Sequence, residues 1–224
     1  MYYKWLKSDG RSPIANWLWP LPTEDGPGEW TPYIKELMAC ESGYHGCKDN
    51  ASSLFDSCCE GELYEIDYRG KANDFGDTMI GHEARLLRKV GEMDARKWRL
   101  LACDFAERTL SIYERIYPND SRPRNAIEVA RRYADGETTI EKLCAAGDAA
   151  KIAARSTARR ARADAMCAWA PWAAWAVARD KSNSRDSARY AVKAASIAAV
   201  PSEAEWQKQR LFEYLAEPTC ASRL

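Results

Sequence analysis

The segment DARKWRLLACDFAERTLSIYERIY, residues 94–117, predicts a long amphipathic helix and favours a mainly helical protein. Its apolar side chains return every three to four residues, which is the spacing that keeps them on one side of an α-helix. The helix should end at Tyr117-Pro118, because proline cannot continue it. The predicted buried face consists of Leu101, Phe105, Ile112 and Ile116.

The chain keeps this helical pattern towards its C-terminus. Alanine, the residue with the highest helix propensity, is abundant there, and the turns between the predicted helices are short. Short turns favour antiparallel neighbours. We therefore expect an antiparallel, Ala-rich helical bundle over residues 93–224. Its further helices begin near Pro123, at Thr138, near residue 185 and at Ser202.

The first 92 residues follow a different pattern. Closely spaced glycine and proline residues from Gly10 to Gly28 exclude a long helix. Residues 63–68 read Leu-Tyr-Glu-Ile-Asp-Tyr, an alternation typical of a half-buried strand. Residues 84–90 fit a strand or a helix. We expect residues 1–92 to form a small α+β domain, so that the chain as a whole is mainly α.

From the sequence we expect neither a membrane-spanning helix nor a secreted chain. No apolar run approaches the roughly 20 residues needed to cross a bilayer, and the first residues, MYYKWLKSDG, lack the apolar core of a signal peptide. We expect a cytoplasmic protein with free thiols. The net charge of zero divides into −7 over residues 1–95 and +7 over residues 96–224, so the two halves suit different partners, or each other.

A turn with cysteine and histidine is the sharpest local feature of the N-terminal part. Cys40, His45 and Cys47 are candidate zinc ligands, and Cys58-Cys59 offers a fourth. Their spacing is not that of a paired Cys-x-x-Cys finger, which favours a tight turn with buried thiols instead. A cysteine nucleophile assisted by histidine lacks a recognisable motif. We therefore predict no catalytic residue, no metal and no cofactor.

Acidic residues are concentrated in the stretch 60–77. Their spacing matches no Ca²⁺ loop, so a solvated acidic face is expected, and the same charges could mimic nucleic acid towards a basic partner. The residues are Glu60, Glu62, Glu65, Asp67, Asp74 and Asp77.

Basic residues form two stripes at helical spacing. Such stripes can follow phosphates or contact an acidic protein, although an Ala-rich helix also needs charge for solubility. We predict that they bind the partner. The first stripe is Arg155, Arg159 and Arg162, preceded by Lys151, and the second is Arg185, Arg189 and Lys193.

The N-terminal part resembles a domain of unknown function found in phages and bacteria. The resemblance rests on Tyr3-Lys4-Trp5-Leu6, Trp19-Pro20, the Cys-x-x-Gly-x-His-x-Cys turn at 40–47 and Leu63-Tyr64-Glu65, and it covers about 90 residues. It implies no particular chemistry.

The C-terminal part resembles Ala/Arg-rich helical immunity proteins. The matching segments are Cys103 to Arg108, the turn Tyr117-Pro118-Asn119-Asp120-Ser121-Arg122-Pro123-Arg124, Ala126-Ile127-Glu128 and Glu205-Trp206-Gln207 with Leu211 and Tyr214-Leu215. The resemblance covers about 120 residues and implies a protein that binds and blocks another protein.

The favoured function is that of a non-enzymatic inhibitor from a phage, prophage or bacterial conflict system. It would occlude a partner protein, either a toxin or a host defence enzyme such as a CRISPR nuclease. One alternative is a nucleic-acid-binding protein that uses the basic stripes. Another is a metal- or thiol-dependent enzyme centred on the Cys/His turn. Self-association is left open.

Overall fold

The protein is described by a computed structural model over residues 1–38, 41–160, 174 and 203–218, without the side chains of residues 158–160. The predicted helix over residues 185–200 lies outside this range. The strands of the described part are β1 (Tyr2–Leu6), β2 (Tyr44–Lys48), β3 (Gly61–Tyr68), β4 (Asn73–Phe75), β5 (Thr78–Gly81) and β6 (Ala84–Met93). Its helices are α1 (Ala51–Asp56), α2 (Ala95–Ile116), α3 (Arg122–Ala134), α4 (Ile140–Arg160) and α5 (Glu203–Ala216).

The six strands form one antiparallel sheet in the order β4-β5-β2-β1-β3-β6. The predicted fold class is therefore wrong, because residues 2–93 are sheet-rich and not a small α+β domain of a mainly α protein. The sequence did not reveal β2, β4 and β5 because these strands have only three to five residues, too few for a clear alternation. The ambiguous residues 84–90 lie in β6, which pairs with β3 along its whole length.

An aromatic cluster covers one face of the sheet. Trp17, Trp19 and Tyr44 pack edge to face with ring centroids 5.2–5.5 Å apart. They lie over the buried side chains of Tyr64 and Ile66 from β3. The alternation at residues 63–68 was thus correctly interpreted as a strand, and Tyr64 and Ile66 face this core.

The segment of residues 28–34, here called the cover segment, lies along the start of β6. Three backbone amides of the segment donate hydrogen bonds of 2.9–3.0 Å to backbone carbonyls in and just before β6. These bonds occupy polar backbone groups that an edge strand would otherwise leave open to pairing. The amides of Gly28, Thr31 and Ile34 bond to the carbonyls of Leu86, Ala84 and His82, respectively.

Tyr68, at the end of β3, packs across two glycines on neighbouring strands. A methyl group at Gly46 of β2 or at Gly81 of β5 would overlap the Tyr68 side chain. The Tyr68 hydroxyl donates to the carbonyl of Met79 at 3.2 Å. The two glycines therefore form the space that the tyrosine fills.

The opposite face of β1 is covered by α1 and by the end of α5. Trp5 is buried, and its indole Nε1 donates to the carbonyl of Leu54 at 3.0 Å. The rings of Tyr3 and Phe212 lie edge to face with centroids 5.5 Å apart. The carbonyl of Leu215 lies directly against Gly91 of β6, where a Cβ atom would collide with it.

Helix α2 confirms the helix expected over residues 94–117 and half of its predicted face. Leu101 and Phe105 are completely buried, together with Trp98 and Tyr113. Ile116, in contrast, is 46% exposed. Tyr113 completes the buried stripe. Its hydroxyl donates a hydrogen bond to the carboxylate of Asp120, which lies in the connection between α2 and α3.

The chain consists of two compact units. The first comprises Met1–Asp94 with Leu211–Leu224, and the second comprises Ala95–Arg210. A domain boundary between residues 92 and 93 and a helical bundle over 93–224 remain predictions. Among the described residues, no helix has the length and apolar character to cross a membrane.

Candidate partner-binding surface

A carboxylate on α2 joins three helices of the second unit. Oδ1 of Asp104 accepts from Nη2 of Arg131 on α3 at 2.8 Å, and Oδ2 accepts from Nε of Arg210 on α5 at 2.7 Å. The Asp104 side chain is only 11% exposed. Removing one partner of a buried ion pair leaves an uncompensated charge and is strongly destabilising. Asp104 is therefore a structural clamp, with both oxygens engaged by guanidinium groups.

A second polar cluster also fastens α5 to α2. Nε of Arg108 donates to Oε2 of the buried Glu203 at 2.8 Å, and its guanidinium lies 4.1 Å from the Trp206 ring centroid. The fully buried Gln207 donates to the other oxygen of Glu203 at 3.2 Å. Both oxygens of the buried Glu203 carboxylate thus have a hydrogen-bond donor.

The turn between α2 and α3 is held by one carboxylate. Asp120 accepts from the Tyr113 hydroxyl at 2.6 Å, and from the backbone amide and the guanidinium of Arg122. The hydrogen bond from the Arg122 side chain is the main cause that lowers the pKa of Asp120 to about 2. Ser121 occupies the N-cap position of α3 but forms no side-chain cap bond. Asp120 instead accepts from the amide of Arg122, the first residue of α3, and its lowered pKa keeps the carboxylate charged near neutral pH.

Only part of the predicted binding stripe lies within the described residues. Arg155 is exposed on α4, and Arg159 lies on the same helix with its side chain outside the description. The face that carries Arg155 also exposes Ile152, at 57%, and Asp148. The structure thus places a base, an acid and an apolar side chain on one open helix face. Arg162, Arg185, Arg189 and Lys193 lie outside the described residues.

The predicted acidic face over residues 60–77 is largely neutralised by cross-strand ion pairs. Glu62 binds Lys89 at 2.6 Å, and Glu65 forms a bidentate pair with Arg88. A free acidic surface that mimics nucleic acid does not fit this arrangement. Two further pairs join Asp67 to Arg85 and Asp74 to Lys48.

The cysteine and histidine residues of the N-terminal part do not assemble into a metal centre within the described residues. Nδ1 of His45 lies 3.0 Å from the carbonyl of Gly43, two residues away. Cys47 is buried, and burial raises the pKa of its thiol, which disfavours a nucleophilic thiolate. Cys58 and Cys59 are also buried, and Cys40 lies outside the described residues.

A family model described as Imm-5 like putative immunity protein matches residues 88–214, more than half of the chain. The chain belongs to this family. Membership supports an immunity or inhibitory role and a protein partner such as a toxin. It also agrees with the resemblance seen in the C-terminal part, whereas the N-terminal resemblance lies almost entirely outside the match. Searches of curated proteins and of solved structures return no match.

The Imm-5 like segment contains the two polar clusters that the sequence did not reveal. Arg131 and Arg210 are 27 and 106 positions away from Asp104. Pairings across such separations leave no local pattern in a single sequence. The sequence offered one indication of these clusters: charged residues lie on the same helix faces as buried side chains.

Proposed function

We propose that this protein is a non-enzymatic inhibitor that occludes a partner protein in a phage, prophage or bacterial conflict system. Membership in the Imm-5 like family is the observation that carries the proposal. The partner is a toxin or a host defence nuclease. The inhibitor acts by binding over the functional surface of the partner, and it catalyses no reaction itself.

The proposed binding surface is the basic stripe that begins at Arg155 on α4. Its support is the exposure of Arg155 and the helical spacing of Arg159 and Arg162. Because the stripe is basic, we expect it to contact an acidic face of the partner. Charged groups at an interface rim mainly raise the association rate and make it depend on salt.

The test is capture of the partner by the full chain from a bacterial lysate, followed by identification and a binding measurement with the purified partner. Arg155→Glu with Arg159→Glu should slow association and reduce its salt dependence while folding is retained, since exposed substitutions usually cost within about 0.5 kcal/mol. Arg132→Glu on α3 is the matched control, because its side chain is 57% exposed and lies off the stripe.

Two results would contradict the proposal. If both charge-reversed proteins bind the partner as the wild type does, the stripe is only a solvated face. If the chain captures no protein but shifts DNA or RNA, and that shift disappears steeply with salt and with the reversal of Arg155, the stripe is a nucleic-acid surface.

A further inference from the structure

An amine projects from the interior strand β1 into the aromatic face of the sheet. Lys4 lies opposite Tyr64 of β3, and its Nζ is 5.3 Å from the centroid of the Trp19 ring. Nζ donates a hydrogen bond of 2.8 Å to the backbone carbonyl of His45 on β2. An aromatic ring and one carbonyl replace only part of the water that surrounds an ammonium group in solution.

Lys4 has no carboxylate partner within the described part of the chain. Glu62, which accepts a hydrogen bond from the Tyr64 hydroxyl, is paired with Lys89 instead. Lys4 is only partly exposed, and an enclosed amine without a counter-ion favours its neutral form. Burial accordingly lowers the pKa of Lys4 below its ordinary value of 10.5.

The other titratable groups around Lys4 supply no counter-charge near pH 7. Burial raises the pKa of the Cys47 thiol, and Cys59 donates its thiol proton to the carbonyl of Leu6. Burial also lowers the pKa of the His45 imidazole, and the Lys4 charge acts in the same direction. The complete set is the imidazole of His45, the thiols of Cys47 and Cys59, and the phenols of Tyr2, Tyr44, Tyr64 and Tyr68 from the aromatic cluster.

The backbone ladder between β1 and β2 stops just before Lys4. It joins Tyr2 to Lys48 and Tyr3 to Cys47, whereas the ladder between β1 and β3 continues to Leu6. Beyond Tyr3, the contacts between β1 and β2 include the hydrogen bond from Lys4 and one between the Cys47 sulfur and the backbone of the next residue of β1. Fewer backbone bonds make this the place where the two strands separate most easily.

We propose that Lys4 is a proton-sensitive joint between β1 and β2. When the amine takes up a proton, the ammonium is better solvated in water than in its enclosed position, so the strands separate more often beyond Tyr3. When the amine releases the proton, it remains in the aromatic face and the joint stays closed. Between the folded and the unfolded pKa of Lys4, the unfolded chain holds a proton that the folded chain has released, so stability rises with pH.

Two substitutions in the full chain test the proton dependence. Lys4→Met keeps the length of the side chain and removes the amine, whereas Lys4→Arg keeps a charge that is not released in this pH range. Relative to Lys4→Met, the unfolding equilibrium constant of the wild type should fall at least about tenfold between pH 7 and pH 10.5. Lys4→Arg should show no such fall. Urea denaturation at each pH measures all three proteins.

Alkylation of Cys47 reports opening at the joint itself, because this thiol is buried and bonds to the backbone of Trp5. At pH 7 the wild type should be alkylated at least about threefold faster than Lys4→Met, and the two rates should converge towards pH 10.5. Comparing both proteins at the same pH cancels the ionisation of the thiol itself. Cys103, which is buried in the second unit, is the internal control, and its rate ratio should stay near one.

A direct titration makes the test independent of the folding of Lys4→Met. In wild-type protein with ¹³C-labelled lysine, the Cε resonance of Lys4 is assigned by its loss in Lys4→Arg. Its chemical shift should change with a midpoint below pH 10.5. Lys71→Met, at an exposed position of the same unit, should leave this midpoint and the pH dependence of unfolding as in the wild type.

Three results would overturn the joint. A Cε midpoint at or above pH 10.5 would show that the folded protein does not favour the neutral amine. A constant ratio between the unfolding constants of wild type and Lys4→Met would show the same for the whole transition. An alkylation ratio at Cys47 that equals the ratio at Cys103 would place the effect of Lys4 outside the contact between β1 and β2.

Discussion

Leu101 and Phe105 belong to the buried face of α2. Both are completely buried, so truncation removes apolar contacts and leaves a cavity. Leu101→Ala and Phe105→Ala should each lower the free energy of unfolding by roughly 2–5 kcal/mol, measured by urea denaturation.

Ile116 provides the control on the same helix. The sequence placed it on the buried face, but it is 46% exposed. Ile116→Ala should therefore change the stability much less than either of the other two substitutions. A larger loss at Ile116 than at Leu101 would mean that α2 buries a different face in solution.

Asp120 should make the stability of the second unit depend on pH. Its pKa in the folded protein, about 2, is below the ordinary value of 3.8 because of the hydrogen bond from the Arg122 side chain. A depressed pKa contributes stability that is complete above about pH 4 and is lost as the pH falls towards 2. Asp120→Asn should destabilise the protein by roughly 1–3 kcal/mol at pH 7.

The difference between wild type and Asp120→Asn should then shrink as the pH is lowered from 4 to 2.5. Urea unfolding of both proteins across this range measures it, because the other carboxyl groups are common to both. A difference that stays constant would show that the Asp120 charge does not stabilise the turn.

Among the strands, Tyr68 and its two glycines offer the most specific test of the sheet. A methyl group at Gly81 would overlap the Tyr68 ring, and overpacking typically costs about 1–3 kcal/mol. Gly81→Ala should therefore destabilise the protein. In a Tyr68→Leu background the same change should cost less, because the overlapping ring is gone. Equal costs in both backgrounds, by thermal or urea unfolding, would refute this packing.

The elements differ in how far their sequence predicts them. The segments of α2 and β3 carry enough periodic positions to identify both. Residues 84–90 became a strand because β3 pairs with them, from Gly61 opposite Met93 to Tyr68 opposite Ala84. That pairing is a tertiary effect, which local propensity does not contain. The stretch around Asn73–Phe75 shows the limit, since three residues cannot establish a period.

For the site, the exposed Arg155 was predictable from the helical spacing of the basic residues. The ion pairs of the acidic stretch 60–77 could not be predicted, because the basic partners, such as Arg88 for Glu65, lie on another strand. The clamp at Asp104 depends on α3 and α5 reaching one carboxylate. Charge spacing along one helix can be seen in a sequence, whereas pairing between elements needs the fold.

In the whole molecule, the C-terminal segment belongs to the same compact unit as the N-terminal strands. Leu211–Leu224 form part of the first unit, where Phe212 packs on Tyr3. A fragment of residues 1–94 should therefore melt at a lower temperature than the full chain. A synthetic peptide of residues 203–218 should raise its Tm in a concentration-dependent way.

The matched control is the same peptide with Phe212→Ala, which lacks the ring that contacts Tyr3. It should raise the Tm less than the native peptide at equal concentration. A fragment that melts cooperatively and ignores both peptides would show that the sheet is complete without the end of α5.

The cover segment at residues 28–34 imposes an order on biosynthesis. Ile34 leaves the ribosome 48 positions before His82, whose backbone carbonyl and side chain it contacts. At translation rates of about 5–20 residues per second, roughly 2–10 s separate the two. During that interval β1 can already pair with β2 and then with β3. The cover segment cannot yet form its hydrogen bonds, because residues 82–86 have not been synthesised. A nascent chain stalled before residue 82 therefore carries a partly assembled sheet with its cover still detached, which is a state that chaperones and proteases can recognise.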